Sequence, residues 1–138
     1  MTPGVYIDSG AFIAFLDRSD RLHAEVERLF ARKPRHWSTS ILVVSETYSW
    51  FLHRLGEEAA RAFRGMLQEL PDLEILPADE RHQTSVWRKL DALRGLKLTF
   101  VDASSLVWLE ARAIAVVWGT DHHLGVEGAR IVPGSPLI

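Results

Sequence analysis

Val5-Tyr6-Ile7-Asp8-Ser9-Gly10, followed by Ala11-Phe12-Ile13-Ala14-Phe15-Leu16, is the stretch from which the fold is read. Val5 to Ile7 is a short β-branched and aromatic run that ends in an acid, and the apolar segment Ala11 to Leu16 follows after Ser9-Gly10. That is the pattern of a buried strand giving way to a helix, with a polar turn at the strand's carboxyl end.

The same alternation continues along the chain. After Asp20, read as an N-cap, Leu22, Val26, Leu29 and Phe30 recur at helical spacing until Lys33, and Pro34 ends the helix. Trp37 to Thr39 reads as a second short strand. Ser40 caps a long helix to Leu55 with Gly56 as its stop, and a further helix, Glu57 to Leu70, is bounded by Pro71. Leu73 to Leu76 reads as a third strand. Asp79 caps a helical pattern through Val86, Trp87, Leu90 and Leu93 that Gly95 closes. Asp102 is expected to open the helix Ala103 to Arg112. Ile114 to Trp118 is a continuous apolar run suited to a strand buried on both faces, and Ile131-Val132 reads as a last edge strand. Alternating strands and helices imply an α/β layered fold, a mainly parallel central sheet flanked by helices. With 138 residues and no internal repeat or linker, residues 1–138 are expected to form one domain.

Composition narrows the chemistry. No stretch approaches the roughly 20 consecutive apolar residues needed to span a bilayer, and Met1 to Asp8 lacks the basic and apolar regions of a signal peptide, so a cytoplasmic protein is expected. With no Cys there is no thiolate site or cysteine nucleophile, and a metal would be held by oxygen or imidazole, which favours hard cations. The net charge of −2 gives no global argument for nucleic-acid binding, although most of the basic residues are Arg, the better bidentate partner for phosphate.

Four acids fall at places where chemistry is done. Asp8 and Asp121 each sit just beyond a predicted buried strand, where ligands of open parallel sheets gather. Asp102 stands at a helix start, and Glu46 lies within the largely apolar pattern Ile41, Leu42, Val43, Val44, Phe51, Leu52. A carboxylate in apolar surroundings is costly unless neutralised, hydrogen-bonded or bound to a cation, so converging acids suggest a divalent metal. Taken singly, each has an ordinary explanation: a turn residue for Asp8, a helix cap for Asp102, an Arg ion pair for Glu46 and an Asx-turn for Asp121.

Four short motifs in order accommodate all of them. A strand ending in Asp8-Ser9-Gly10, Ser45-Glu46 within the long helix, Phe100-Val101-Asp102-Ala103-Ser104, and Trp118-Gly119-Thr120-Asp121-His122-His123-Leu124 resemble the motifs of the PIN-domain nucleases, most closely the small bacterial toxin-like VapC ribonucleases. The resemblance covers essentially the whole length; Leu124 stands where the family usually has an aromatic.

The resemblance implies a PIN-like α/β domain acting as a Mg²⁺- or Mn²⁺-dependent endoribonuclease, with one or two ions held by Asp8, Glu46, Asp102 and Asp121 and no protein nucleophile. Asp8 and Asp102 would be the central ligands, Glu46 and Asp121 would act partly through water, and Ser9 and Thr120 would orient water or carboxylate. It further implies an RNA substrate, a homodimer and an antitoxin partner. A housekeeping RNA-processing or structure-specific DNA nuclease, or a non-catalytic cation-binding module, would share the same fold and acids. A Zn²⁺ site at His122-His123 is disfavoured because adjacent His residues seldom share a metal; His123 is read as a loop-packing residue and His122 as exposed. Glu110 is the reserve ligand. Tyr48, Trp50, Trp87, Trp108 and Trp118 sit at core spacing, which leaves Trp37 as the aromatic to test for base stacking.

Overall fold

The computed structural model describes residues 4–134. The strands are β1 (Val5–Ile7), β2 (Trp37–Ser40), β3 (Leu73–Leu76), β4 (Val116–Gly119) and β5 (Arg130–Pro133). The helices are α1 (Ser9–Leu16), α2 (His23–Ala31), α3 (Ile41–Leu55), α4 (Glu57–Gln68), α5 (Glu80–Ala92) and α6 (Phe100–Ala111), with a 3₁₀ turn at His122–Gly125. All strand pairings are parallel in the order β3-β2-β1-β4-β5, so β1 lies at the centre. The expected α/β architecture is therefore observed, and the strand at Ile131-Val132 does take an edge.

The sequence explains the elements locally. Ser40 and Asp79 cap α3 and α5 by accepting from the N–H groups of Val43 and His82 at 3.2 and 2.8 Å. Asp20 does not cap α2: its carboxylate accepts from Leu22 N–H at 2.9 Å in a turn, and the helix begins later, at His23. Asp102 does not open α6 either. Thr99 is the cap and Asp102 is the third helical residue of a capping box, so Phe100 and Val101 belong to the helix.

The sheet centre is dry. Tyr6, Ile7, Phe12, Phe63 and Leu106 are at most 1% exposed, and Phe12 meets Phe63 edge-on at 5.3 Å between ring centroids. Trp37 belongs to this core, 4% exposed and perpendicular to Trp118 at 6.2 Å, which removes it as a stacking platform for bases. Trp87 and Tyr48, expected to pack, are instead 59% and 39% exposed. Several interior polar groups are paired: Tyr6 Oη lies 2.7 Å from Ser105 Oγ, Thr39 Oγ1 donates to Ile7 O at 2.7 Å, and His82 Nε2 lies 2.7 Å from Ser104 Oγ while its ring stacks on Trp108, whereas the buried Nε1 atoms of Trp37 and Trp108 have no hydrogen-bond partner among the described residues. Phe12→Ala should cost about 3–5 kcal/mol in urea unfolding, because the rings around it cannot collapse into the gap. Trp87→Ala should cost less than about 1 kcal/mol, and a larger loss would mean that the indole is part of the core after all.

Candidate active site

The chain steps from β1 out to β2 and β3, then returns to the other side of β1 to form β4 and β5. The crevice outside the carboxyl ends of β1 and β4 is thus the topological switch point, where open parallel sheets bind ligands. Asp8 follows β1 immediately and its N–H donates to Trp118 O at 2.9 Å, while Asp121 lies two residues beyond β4. Asp8 is 6% exposed.

Two glycines let these segments close on one another. A Cβ at Gly119 would stand 3.0 Å from Asp8 Cβ, and a Cβ at Gly10 would overlap Thr120 Oγ1 and lie 3.2 Å from Thr120 N. Backbone approach of this kind leaves no room for a side chain. Each strand-end acid carries a glycine two residues away, next to Ser9 in one motif and Thr120 in the other, and that spacing is the signal in the sequence for the close approach.

Asp102 is oriented by its own helix. Its N–H donates to Thr99 Oγ1 at 3.0 Å, and its Oδ2 accepts from Thr99 N–H at 3.1 Å. Asp121 accepts from His123 N–H through Oδ1 at 2.9 Å, and His123 Nδ1 lies 3.2 Å from Asp121 Oδ1 and 3.9 Å from Asp102 Oδ2. His123 therefore bridges two of the acids as well as packing the loop, while His122 is exposed and Leu124 is buried in the place of an aromatic. Glu46 projects from α3 as an exposed residue. The apolar surroundings expected for it are absent, because its neighbours Val43 and Thr47 turn inward and leave position 46 on the solvent side. It nevertheless acts electrostatically on Asp8. Ser9 opens α1, where its N–H donates to the Asp8 carboxylate, and Thr120 is half-buried between β4 and Asp121. Glu110, the reserve ligand, is drawn off by Lys89, whose Nζ lies 2.7 Å away.

Charge dominates this crevice. Burial pushes the Asp8 carboxyl up to about 7; the Ser9 N–H opposes this, and Glu46, Asp121 and Asp102 add to it. Asp102 is also raised, first by burial and then by its hydrogen bond with Asp121. Among the described residues no Lys or Arg lies within 4.0 Å of any of the four carboxylates, and the cationic partner on offer is His123 when protonated. Such a donor set fits a hard divalent cation, which would replace the missing positive charge. Among the described residues the one group of three or more such side chains whose ligand atoms lie within 4.8 Å of one another is Asp121, His122 and His123, so imidazole nitrogen is available at the Asp121 side and the four acids do not by themselves close to that spacing.

Comparison with known proteins identifies the family of this fold. The PIN domain family profile matches residues 5–125, and the chain belongs to that family. A curated relative, the 23S rRNA-specific endonuclease VapC20 of Mycobacterium tuberculosis, is 27% identical over 125 residues, covering 90% of this chain and 94% of its own. The crystal structure of that organism's VapC20, described as a Sarcin-Ricin loop cleaving toxin, superposes with a TM-score of 0.84 at 23% identity over 91% of this chain and 96% of its own. FitAcB from Neisseria gonorrhoeae follows at 0.67 and 14% identity, with 92% and 95% of the two chains covered. A toxin-antitoxin complex from Klebsiella pneumoniae gives 0.62 and 14%, with 92% and 94% covered. Among the described residues no helix is long and apolar enough to cross a membrane.

The charge crowding has a measurable sign. Asp8 moves from an ordinary 3.8 in the unfolded chain to about 7 in the folded one, so folding is unpenalised below pH 4 and loses stability as pH rises to 7. In EDTA, Asp8→Asn should therefore be more stable than wild type by on the order of 2–4 kcal/mol at pH 8, and the advantage should vanish near pH 4. An advantage that does not change with pH would show that Asp8 is not ionised against its surroundings.

Proposed function

We propose that the chain is a metal-dependent endoribonuclease and the toxin of a toxin-antitoxin pair. The observation that carries this is Asp8, buried at the switch point, with Glu46, Asp121 and Asp102 acting on it and, among the described residues, no Lys or Arg paired with any of them. A protein that only stored charge there would be destabilised for no return. A site that recruits Mg²⁺ or Mn²⁺ and then a phosphodiester uses the same repulsion to hold the cation. RNA as substrate is supported by the VapC20 relative, a 23S rRNA-specific endonuclease, and an antitoxin partner by a neighbour of the same fold that is a toxin-antitoxin complex.

Roles follow from position. Asp8 and Asp102 would be the central ligands, Asp8 because it is pinned by β1 and Asp102 because the capping box fixes its carboxylate. Asp121 and Glu46 would act partly through water. The half-buried hydroxyls of Ser9 and Thr120 would orient water at the mouth of the crevice, and His123 would hold Asp121 in place through the bond from its N–H. When bound, the metal supplies the Lewis acidity that makes water nucleophilic near neutral pH and offsets charge on the leaving oxygen. The chain's own residues supply the geometry, and the expected reaction is in-line hydrolysis with no covalent enzyme intermediate.

The test uses purified protein with a sarcin-ricin-loop RNA hairpin, an unstructured RNA and a single-stranded DNA of equal length, in Mg²⁺, Mn²⁺ or EDTA. Wild type should cleave RNA only with metal, and Asp8→Asn and Asp102→Asn should each lose at least about 100-fold in rate. Thr99→Ala, which removes the hydroxyl that caps the Asp102 N–H but keeps the main-chain N–H that holds its carboxylate, should lose less. Cleavage that persists in both Asn variants would end the reading, and cleavage of DNA alone would move it to a different nuclease. Growth arrest on expression of wild type but not of Asp8→Asn would support the toxin role, and equal growth would remove it.

A further inference from the structure

Four acids and a net charge of −2 make a poor landing surface for a polyanion, so an RNA-cutting chain needs an approach path of a different character. One lies at the corner where α5 passes the start of α6. Trp87 on α5 is 59% exposed, whereas Trp37 and Trp118 are 4% and 6% exposed and Trp50 and Trp108 are half-buried. Its indole is not loose: it stands edge-on to Phe100 at 5.0 Å between centroids and 68° between planes. Phe100 is the first residue of α6 and Asp102 the third, so the indole packs against the same first turn of α6 that carries Asp102.

Cations lie close to the ring in sequence. Arg88 follows it on α5, and Arg94 and Lys97 sit in the connection that leads to α6; all three are exposed, and among the described residues none pairs with a carboxylate. Arg94 only donates to the Asp91 main-chain carbonyl at 3.4 Å. The contrast with Lys89 on the same helix is direct, since its Nζ is occupied by Glu110 and Glu127. Asp91 is the acid nearest in sequence on this helix.

We propose that Trp87, propped by Phe100 and flanked by Arg88, Arg94 and Lys97, is a stacking platform for an unpaired base of the RNA substrate and delivers the strand to the crevice from the α5-α6 corner. Deepening the ribonuclease reading, the proposal rests on it. A propped aromatic face with free cations is how proteins hold single strands without reading every base. A second copy of the chain fits the corner less well. A two-fold contact sets a patch against itself, and here Arg88, Arg94 and Lys97 outnumber the one nearby acid, Asp91, so the patch would meet an excess of its own charge.

The experiment measures binding without cleavage, with every variant made in the full-length Asp8→Asn chain. A fluorescein-labelled RNA hairpin with a single-stranded loop is titrated by anisotropy across a salt series, and indole emission and sedimentation are followed in parallel. Trp87→Ala should weaken binding about 5- to 100-fold, Trp87→Phe should retain most of the affinity, and RNA should quench an emission component that both variants lack. Arg88→Ala and Lys97→Ala should each lower the slope of log K against log salt by about 1. Unchanged affinity in Trp87→Ala overturns the proposal, and a changed oligomeric state with unchanged affinity assigns the corner to a second copy. If wild type cleaves RNA while Trp87→Ala binds normally, only the platform fails. If wild type neither binds nor cleaves RNA, the ribonuclease reading fails and takes the platform with it.

Discussion

Strand β1 is three residues long, yet the site is arranged around it. Parallel neighbours on both sides, β2 through Val5 and Tyr6 and β4 through Val5 to Ile7, fix its register and the point at which it ends. A short central strand exposes no edge, so its last main-chain groups have defined partners and Asp8 emerges in one place. Asp121 is set by the neighbouring strand, Asp102 by the first turn of α6 and Glu46 by α3. The hydrophobic surroundings that hold β1 are also what make its terminal acid costly, so the same packing that stabilises the domain raises the energy of the ionised site.

The acids consequently differ in kind. Asp8 is buried and tied to β4 through its own N–H, and Asp102 has one carboxylate oxygen engaged by Thr99 N–H. Asp121 is half-buried and steadied by His123 N–H, and Glu46 is exposed on its helix. Order falls along this series as solvent access rises. Groups at the fixed end set where a cation can sit, and groups at the open end are free to adjust to what the cation carries.

Much of this was legible in the sequence, and the parts that were not share a cause. Strands at Val5–Ile7 and Leu73–Leu76 and the caps at Ser40 and Asp79 have local signatures, and they stand where the residues place them. Asp20 carried the same cap signature, but its carboxylate was used in a turn. The start of α6 was missed because its capping box reads Thr-x-x-Asp rather than ending in Glu or Gln, and because Phe100-Val101 looks apolar enough to precede a helix. Glu46, Trp37 and Trp87 were misplaced for one reason: apolar neighbours in sequence do not say which face of an element meets the core, and only tertiary packing decides it. The order of acids was visible, while the lack of any compensating Lys or Arg is a three-dimensional fact.

The close approach of Gly119 to Asp8 carries an implication for how this chain can change over time. With Asp8 Cβ only 3.0 Å from where a Cβ would stand at position 119, the two sites compete for the same volume, although they lie at opposite ends of the sequence. A side chain admitted at 119 must shift or shrink what stands at 8, so substitutions at the two positions are sterically coupled. The place of the Asp8 side chain is settled during folding, before any ligand arrives, and a side chain admitted at a residue with no functional group of its own would displace it.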